Sequence, residues 1–310
     1  MDDGRTAAAT VGVIGLAIVA AGLAYLALTG HSTSSTTPSA NVHVAITSPA
    51  TPSLGSSATT SPTATATDAA PTDELPLSVV SATTAWRSTR GSCSGGSIAH
   101  VQVTTDGGAT WHAAGTPPVE VVTLAATDAR HATEVGYDAG CRLVMRTTAN
   151  GGKTWLRATT IEGVWTHELT TVRSPTGTTA TPCTDPPVVT TDGIGSTSAY
   201  VLCPDGAIYR TTDGGTTFTK RSKLAGTVAL GGAGAGDELA AVTGTTGCDG
   251  VLVRRSADGA KTWTTGYCVV SATDTADVGI DLSAANAWLV SGTHVYRSTD
   301  GGSTWTRVDS

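Results

Sequence analysis

The chain lacks most of the features that identify enzymes and nucleic-acid-binding proteins. Only 14% of its 310 residues are charged, the formal net charge is −7, and phenylalanine occurs once. Lysine and arginine form no cluster, so nucleic-acid binding is not expected. The cysteines form no Cys-x-x-Cys pair and have no histidine partner, which argues against zinc. We therefore expect neither a metal nor a cofactor.

Helical periodicity is nearly absent, and the one long apolar run lies near the N-terminus. Residues 7–28 carry no charge, and about 20 helical residues span the roughly 30 Å of a bilayer core. We predict a cytoplasmic tip and a transmembrane signal-anchor helix over residues 1–30. The flank holds Arg5 beside Asp2 and Asp3, a weak orientation signal, so secretion after signal-peptide cleavage is the alternative.

Two further regions follow the apolar run. Residues 31–75 are rich in serine, threonine, proline and alanine, a composition that cannot form a core and predicts a disordered linker. Residues 76–310 are dominated by threonine, valine, glycine and alanine, which favours many short strands and turns. We predict one all-β domain over residues 76–310.

An eight-residue sequence motif occurs five times in this domain, which indicates a repeat architecture. Each copy reads as a hairpin turn with a strand on both sides, because Asp-Gly and Asn-Gly accept positive φ angles. The aspartate can accept hydrogen bonds from the turn's own N–H groups, and we expect the final aromatic ring to be buried between sheets. The copies are Thr104–Trp111, Thr148–Trp155, Thr211–Phe218, Ser256–Trp263 and Ser298–Trp305.

These motifs resemble the Asp-box, or bacterial neuraminidase repeat, Ser/Thr-x-Asp-x-Gly-x-Thr-Trp/Phe. Asn150 and Ala260 are the departures from that pattern. The resemblance implies a β-propeller of four-stranded blades in the sialidase and sortilin-like superfamily, with each box between the third and fourth strands in a structural role. The structural box residues are then Asp106, Trp111, Asn150, Trp155, Asp213, Phe218, Asp258, Trp263, Asp300 and Trp305.

A second, fainter repeat supports the blades, because Ala85-Trp86, Ala199-Tyr200 and Ala287-Trp288 precede a box at similar spacings. We assign these pairs to second strands. Cutting the chain after each box predicts five blades. The third unit is too long, and its excess, residues 162–187, is either a loop or the remnant of a sixth blade; its composition favours the loop. The units are 76–115, 116–159, 160–222, 223–267 and 268–310.

The six cysteines all lie in the propeller region. An even number in an exported domain predicts disulfides, and six cysteines allow fifteen pairings. The blade arrangement that the resemblance implies places them on one face, opposite the boxes. It predicts the pairs Cys93–Cys141, Cys183–Cys203 and Cys248–Cys268.

The resemblance does not extend to a sialidase active site. Sialidases hold the substrate carboxylate with three arginines and use a Tyr–Glu nucleophile pair and an aspartate acid, and no local sequence here matches these groups. Arg210, Arg255 and Arg297 each precede a box by one residue, but third strands lie away from the central channel. We therefore predict a non-catalytic member of the superfamily and assign no catalytic residue.

The remaining candidate site is the rim of the disulfide-bearing face, because loops on a rigid scaffold commonly carry binding residues. The predicted function is a non-catalytic extracytoplasmic binding or scaffold propeller, anchored to the membrane, with a protein or glycan of the cell envelope as its partner. The alternatives are a sialidase-like or other glycoside hydrolase with an unrecognised site, and a purely structural envelope protein. The rim candidates are Tyr137, Asp138, Arg142, Trp165, His167, Asp205, Asp249 and Tyr267.

Overall fold

The structure, a computed structural model, describes residues 74–308 except 90, 94, 116–117, 186, 235, 271 and 273–276. Within these ranges every regular element is a β-strand and none is a helix. The strands form six antiparallel sheets, and the protein is a six-bladed β-propeller. The predicted N-terminal helix and linker lie outside the described ranges. No helix within those ranges is long and apolar enough to cross a bilayer.

Five blades have four strands and one has three, and we number them along the chain. Blade 1 contains β1 (Leu77–Val79), β2 (Ala85–Ser88), β3 (Val101–Thr104) and β4 (His112–Ala113). Blade 2 contains β5 (Glu120–Ala126), β6 (Ala132–Tyr137), β7 (Leu143–Thr148) and β8 (Leu156–Arg157). Blade 3 contains β9 (Thr166–Glu168), β10 (Thr171–Arg173) and β11 (Thr179–Ala180).

The second half of the ring consists of complete blades. Blade 4 contains β12 (Thr190–Ile194), β13 (Ser198–Leu202), β14 (Ala207–Thr211) and β15 (Thr219–Lys223). Blade 5 contains β16 (Thr227–Gly234), β17 (Asp237–Val242), β18 (Val251–Ser256) and β19 (Tyr267–Val269). Blade 6 contains β20 (Val278–Ser283), β21 (Asn286–Ser291), β22 (His294–Ser298) and β23 (Thr306–Arg307).

The prediction of five blades is wrong, because the excess of the third unit is blade 3 and not a loop. Its strands β9 to β11 pair in order as a three-stranded sheet. The alternative, a sixth-blade remnant, is the correct one. Sequence favoured the loop because these strands are only two or three residues long and the segment lacks a recognisable box aromatic. Very short strands show too little alternation to be distinguished from loops by sequence.

The five repeated turns share one hydrogen-bond pattern between the third and fourth strands. In blade 1 the Thr104 hydroxyl donates to Asp106 over 2.8 Å and accepts the N–H of Gly108 over 3.0 Å. Asp106 also accepts the N–H of Thr110 over 3.0 Å. Positive φ angles at Gly107 and Gly108 allow the chain to reverse there. The other four turns repeat these bonds.

The aromatic residues of these turns are less buried than expected. Trp305 is buried, whereas Trp111, Trp155, Phe218 and Trp263 are only half-buried. The fully buried large rings are instead Trp86, Tyr200 and Trp288, which lie on second strands as predicted, and Tyr296 on the third strand β22. These rings fill the space between neighbouring sheets, so burial of the second-strand aromatics contributes more to the core.

All six cysteines are paired, in the combination predicted from the blade arrangement: Cys93–Cys141, Cys183–Cys203 and Cys248–Cys268. The first bond joins blades 1 and 2, through the loops that follow β2 and β6. The second connects the segment between blades 3 and 4 to the loop after β13. The third closes a loop within blade 5.

Candidate functional site: the central channel

Blade 3 lacks its innermost strand, and contacts of Trp165, just before β9, identify which strand is missing. Second-strand Trp86 and Trp288 donate their indole N–H to a carbonyl in the first hairpin of the next blade, at Asp128 and Ser81. Trp165 makes the same bond to Gly195 of blade 4 over 2.8 Å. By this criterion β9 is a second strand, and blade 3 has no first strand.

The turn after β10 supports the same assignment. Ser174 is fully buried and contacts the Thr176 hydroxyl over 3.1 Å, and it accepts the N–H of Thr178 over 3.1 Å. Thr104 has the same relation to Asp106 and Gly108 in blade 1. The segment is thus a degenerate form of the repeated turn, with threonine in place of aspartate. It places β10 and β11 as third and fourth strands.

Hydrogen bonds join neighbouring first strands. In each case the acceptor side chain occupies the same register position on its own strand. Ser78 accepts the N–H of Ala126 in the next blade over 2.9 Å. Asp281 of blade 6 accepts the N–H of Val79 in blade 1 over 2.6 Å, and Asp192 of blade 4 accepts that of Gly232 in blade 5. The strand pairings place these acceptors opposite Trp86, Trp288 and Tyr200, at equivalent positions. Two channel aspartates therefore have a structural role.

Blade 3 has no first strand to receive or provide such a bond. Instead β5 of blade 2 contacts β9 directly, and the Thr123 hydroxyl donates a 3.1 Å hydrogen bond to the Thr166 hydroxyl. Towards the disulfide-bearing face the innermost position of blade 3 is open. The missing inner strand widens the central channel on the side of blade 3. The channel, lined by residues of all six blades, has a cavity of about 790 Å³, within the size range of ligand sites.

The walls of this channel are acidic. Five carboxyl groups line it, and the described lining residues include no lysine or arginine. Two of the five carboxyls, Glu120 and Glu168, act as negative charges on Tyr137, and charges of one sign in a concave site repel anions and attract cations. No group of three or more described histidine, cysteine or acidic side chains has the arrangement of a metal site. The five are Glu74, Glu120, Glu168, Asp192 and Asp281.

Behind the wall, Asp192 faces Glu238, and the two carboxyl groups lie against Gly232. A Cβ atom on Gly232 would approach Glu238 Oε2 to 2.5 Å and Asp192 Oδ2 to 2.9 Å. Burial raises the pKa of Asp192 to about 7. Burial, followed by repulsion from Asp192, also raises the pKa of Glu238 well above its usual value. The pair retains a proton at neutral pH, because two adjacent buried carboxyls cannot both ionise.

Two more carboxyl groups serve to close the ring. Asp281 accepts the N–H groups of Val79 and Leu282, one on each oxygen. Glu74 accepts bonds from Thr190 and from the backbone of Ile280, so it lies between blades 4 and 6. Burial raises the pKa of both groups. Both carboxyls thus hold the ends of the ring together, and neither Asp281 oxygen is left without a partner.

The mouth of the channel on the disulfide-bearing face has a different character. Tyr137 lies there beside Glu168 and Glu120, and burial together with these two charges raises its pKa to about 12. Glu120 is held by the N–H of Cys93 over 3.0 Å. His167 lines the same wall, its buried Nδ1 has no hydrogen-bond partner, and burial lowers its pKa to about 4. The neutral imidazole is available to a ligand.

Three of the eight predicted rim residues line the channel, namely Tyr137, Trp165 and His167. Asp138 and Arg142 form a loop of their own, joined by a 3.1 Å ion pair. Asp205 pairs with Lys223 over 3.0 Å. Asp249 is exposed beside Cys248, and Tyr267 lies on β19, the outermost strand of blade 5. The structure therefore does not bring the predicted rim residues together as one site.

The three equivalent arginines do not reach the channel. Each one packs beneath a glycine of the next blade's repeated turn, Arg297 at Gly107, Arg210 at Gly259 and Arg255 at Gly301. Arg297 donates to the carbonyls of Ala82 and Gly107. Their contacts are between blades, which agrees with a structural role.

The channel acids were not identified from sequence, although a weak signal exists. Asp281 interrupts the apolar run of β20, and Asp192 interrupts the threonine run of β12. Glu238 pairs with Ser256, the first residue of the repeated turn of blade 5. In four other blades the residue that pairs with the first turn residue is an alanine, namely Ala85, Ala132, Ala199 and Ala287. A charged residue at an otherwise small, buried repeat position is the signal that could have found it.

No protein-family model and no curated protein matches the chain. Among solved structures, it is similar to YCF48 from Cyanidioschyzon merolae, with 17% identity over 76% of this chain and 84% of that one and a TM-score of 0.30. An α-L-arabinanase of Penicillium chrysogenum has 11% identity, coverages of 76% and 81%, and a TM-score of 0.37. A GH74 xyloglucanase of Xanthomonas campestris has 14% identity and a TM-score of 0.32, and the match spans 75% of this chain but 38% of the enzyme. Their values are too low to carry an argument about activity.

Proposed function

We propose that the protein is a non-catalytic binding propeller whose ligand site is the widened central channel. The observation that carries the proposal is a ligand-sized channel lined by five carboxyl groups and, among its described residues, no lysine or arginine. Such a site favours a cationic or uncharged, hydroxyl-rich ligand. It disfavours sialosides, whose carboxylate requires arginines.

The bonding of the carboxyl groups favours binding over hydrolysis. Both oxygens of Asp281 are occupied by backbone N–H groups, and Asp192 is engaged by Gly232 and faces Glu238. A glycosidase needs one carboxyl as acid and a second as nucleophile or base, both free to reach the sugar. The channel carboxyls are instead largely occupied in joining blades.

We also propose that the propeller lies outside the cytoplasmic membrane, tethered by the N-terminal apolar segment and the linker. Three disulfides support this placement, because such bonds persist in oxidising compartments. Labelling of Tyr267 or other exposed residues on intact cells with an impermeant reagent tests the orientation. Labelling only after lysis would contradict it.

The binding proposal is tested with the full chain by thermal shift and calorimetry. The panel contains neutral oligosaccharides, sialyllactose, diamines, and basic and acidic peptides, with pulldown from envelope extract in parallel. We expect stabilisation by neutral or cationic ligands and none by sialyllactose. Loss of that stabilisation in Glu168→Gln, with Asp249→Asn as control, locates the ligand in the channel; equal binding by both variants would place it elsewhere.

A glycoside hydrolase is the second candidate, and the Asp192–Glu238 pair favours it. A buried carboxyl that retains its proton at neutral pH is the state required of a general acid. Chromatography of the neutral oligosaccharides after incubation tests this function. Turnover that Glu238→Gln abolishes, in a variant that still melts cooperatively, would replace the binding proposal.

A further inference from the structure

We propose that the ligand of the channel is an extended, basic segment of another polypeptide, which pairs with the open edge of β9 and completes blade 3. The inference rests on the proposed binding function and specifies its ligand. Its basis is the juxtaposition of an unpaired strand edge, an acidic wall and buried polar atoms without partners.

The strand edge is the first element of the argument. Each second strand of the other five blades is paired on both sides, whereas β9 pairs with β10 alone among the described strands. Thr123 covers the Thr166 end of this edge, and the backbone carbonyl of Leu169 accepts the N–H of Val188 at the other end. Between these points the edge at His167 and Glu168 faces the channel. An open edge binds an extended peptide through main-chain hydrogen bonds.

The space beside this edge fits a strand. Residues of β5, β9 and β12 line the cavity beside this edge, together with Tyr137 and Gly195. A strand advances about 3.3 Å per residue, so a few peptide residues suffice to span the open part of the β9 edge. Two residues with buried atoms that have no hydrogen-bond partner, His167 at Nδ1 and Thr191 at Oγ1, line the same cavity. A peptide would supply donors and acceptors to them.

The charge of the wall selects the peptide. A lysine or arginine side chain entering at the mouth would meet Glu120 and Glu168, with the ring of Tyr137 beside them. The chain's own linker is a poorer occupant, because residues 58–73 contain Asp68 and Asp73 and no basic residue. Repulsion from Glu120 and Glu168 therefore argues for a segment of a different protein.

Four probes with matched chemistry test the inference by calorimetry on the full chain. They are an octapeptide of alternating valine and lysine, its valine–glutamate counterpart, the lysine peptide with alternate backbone nitrogens methylated, and 1,5-diaminopentane as a cation without a backbone. Methylation removes N–H donors and blocks strand pairing but leaves the charge. We expect the first peptide to bind at least about tenfold more tightly than the other three.

Variants locate the bound peptide. Glu168→Gln should weaken the lysine peptide about fivefold, the effect of losing one partly exposed charge pair, whereas Asp249→Asn should leave its affinity unchanged. Main-chain hydrogen exchange of His167 and Glu168 should slow when the peptide is bound.

Each other outcome has a definite meaning. Equal binding of the methylated peptide or of the diamine would overturn strand pairing while leaving a cation-binding channel. Binding of neutral oligosaccharides in the panel above without any peptide binding would overturn the inference but keep the proposed function. Slow exchange at His167 and Glu168 without peptide, together with crosslinking of residues 58–73 to β9, would show that the chain's own linker fills the edge.

Discussion

Blade 3 and the five complete blades all pack against a neighbouring blade, but they do so through different contacts. A complete blade presents an inner strand to the channel, and at three junctions one side chain on that strand bonds the next blade, as Ser78, Asp192 and Asp281 do. Blade 3 has no inner strand and no recognisable box, yet it retains the buried indole of Trp165 and the hydroxyl-centred turn at Ser174.

The difference shows which features make a blade. A blade can pack into the ring with only its second, third and fourth strands and the turn between the last two. The inner strand is dispensable, because its removal exposes the channel and not the core. The Cys183–Cys203 bond fixes the segment that leaves blade 3 to blade 4, at a junction that no first-strand hydrogen bond can cross.

The largest expected effect comes from the second-strand tryptophans. Trp288→Ala and Trp165→Ala should each lower the free energy of unfolding by about 3–5 kcal/mol, because both remove a buried aromatic ring and its bond to the next blade. Urea unfolding measures both, with half-buried Trp111→Ala as a control of smaller effect. A cost for Trp165→Ala similar to that control would show that blade 3 is packed more loosely than the others.

The next comparison concerns two disulfides with the same sequence separation of 20 residues. In the chain-entropy account, removal of either should cost about 3 kcal/mol. We expect Cys183→Ala/Cys203→Ala to cost more than Cys248→Ala/Cys268→Ala, because the former joins two blades and the latter lies within one sheet. Thermal unfolding of both double variants measures the stability that each one loses and decides between the two expectations. Equal losses would mean that the blade 3–blade 4 junction does not depend on its disulfide.

The pH dependence of stability should differ between the complete blades and blade 3. The pKa of Asp192 is about 7 when folded and about 3.9 when unfolded, so the folded state binds the proton more tightly. This contribution is fully present below about pH 4 and is lost as the pH rises through about 7. Glu134, whose pKa burial also raises to about 7, acts in the same window. Glu238→Gln should flatten the decline, because it removes a second carboxyl whose pKa burial raises.

His167 of blade 3 should act with the opposite sign. Its pKa of about 4 when folded lies below the unfolded value of about 6.5, so the unfolded state binds the proton more tightly. Stability from this group is lost as the pH falls from about 6.5 to 4, and His167→Gln should remove that loss. Denaturant titrations from pH 4 to 8 measure both trends, and a wild-type profile that neither variant changes would contradict the assignment.

The smallest effect concerns the turns. Asp106→Thr should lower the melting temperature, because it removes the acceptor of the Thr110 N–H and hydroxyl. The reciprocal Thr176→Asp should change stability by less than about 0.5 kcal/mol, as exposed substitutions usually do. The fourth strand of blade 3 already begins at Thr179, so a new carboxylate would find no equivalent loop. A clear stabilisation by Thr176→Asp would show that its turn can adopt the regular pattern.

Much of the propeller was predictable from local sequence, and the failures have local causes. The five turns and the second-strand pairs such as Ala287-Trp288 follow from a repeat whose members are close to identical, and the three disulfides follow from the blade arrangement that the family resemblance implies. For blade 3 the sequence favoured a loop over a sixth blade, because Ser174 and Thr176 keep the hydrogen-bond pattern of the repeated turn but not its residue types. Hydroxyl groups of either kind can close such a turn, so sequence similarity is lost before geometry is.

By itself, the sequence determined an all-β repeat protein and the places of its turns, because these depend on contacts within neighbouring segments; the cysteine pairs followed only from the blade arrangement that the family resemblance implied. Only the tertiary structure decided the number of blades, the missing inner strand and the acidic channel. Asp192, Glu238 and Asp281 are far apart in the chain, and their proximity, with the pKa shifts that burial causes, exists only when the ring closes. The charge of a channel is a property of the whole ring and not of any single blade.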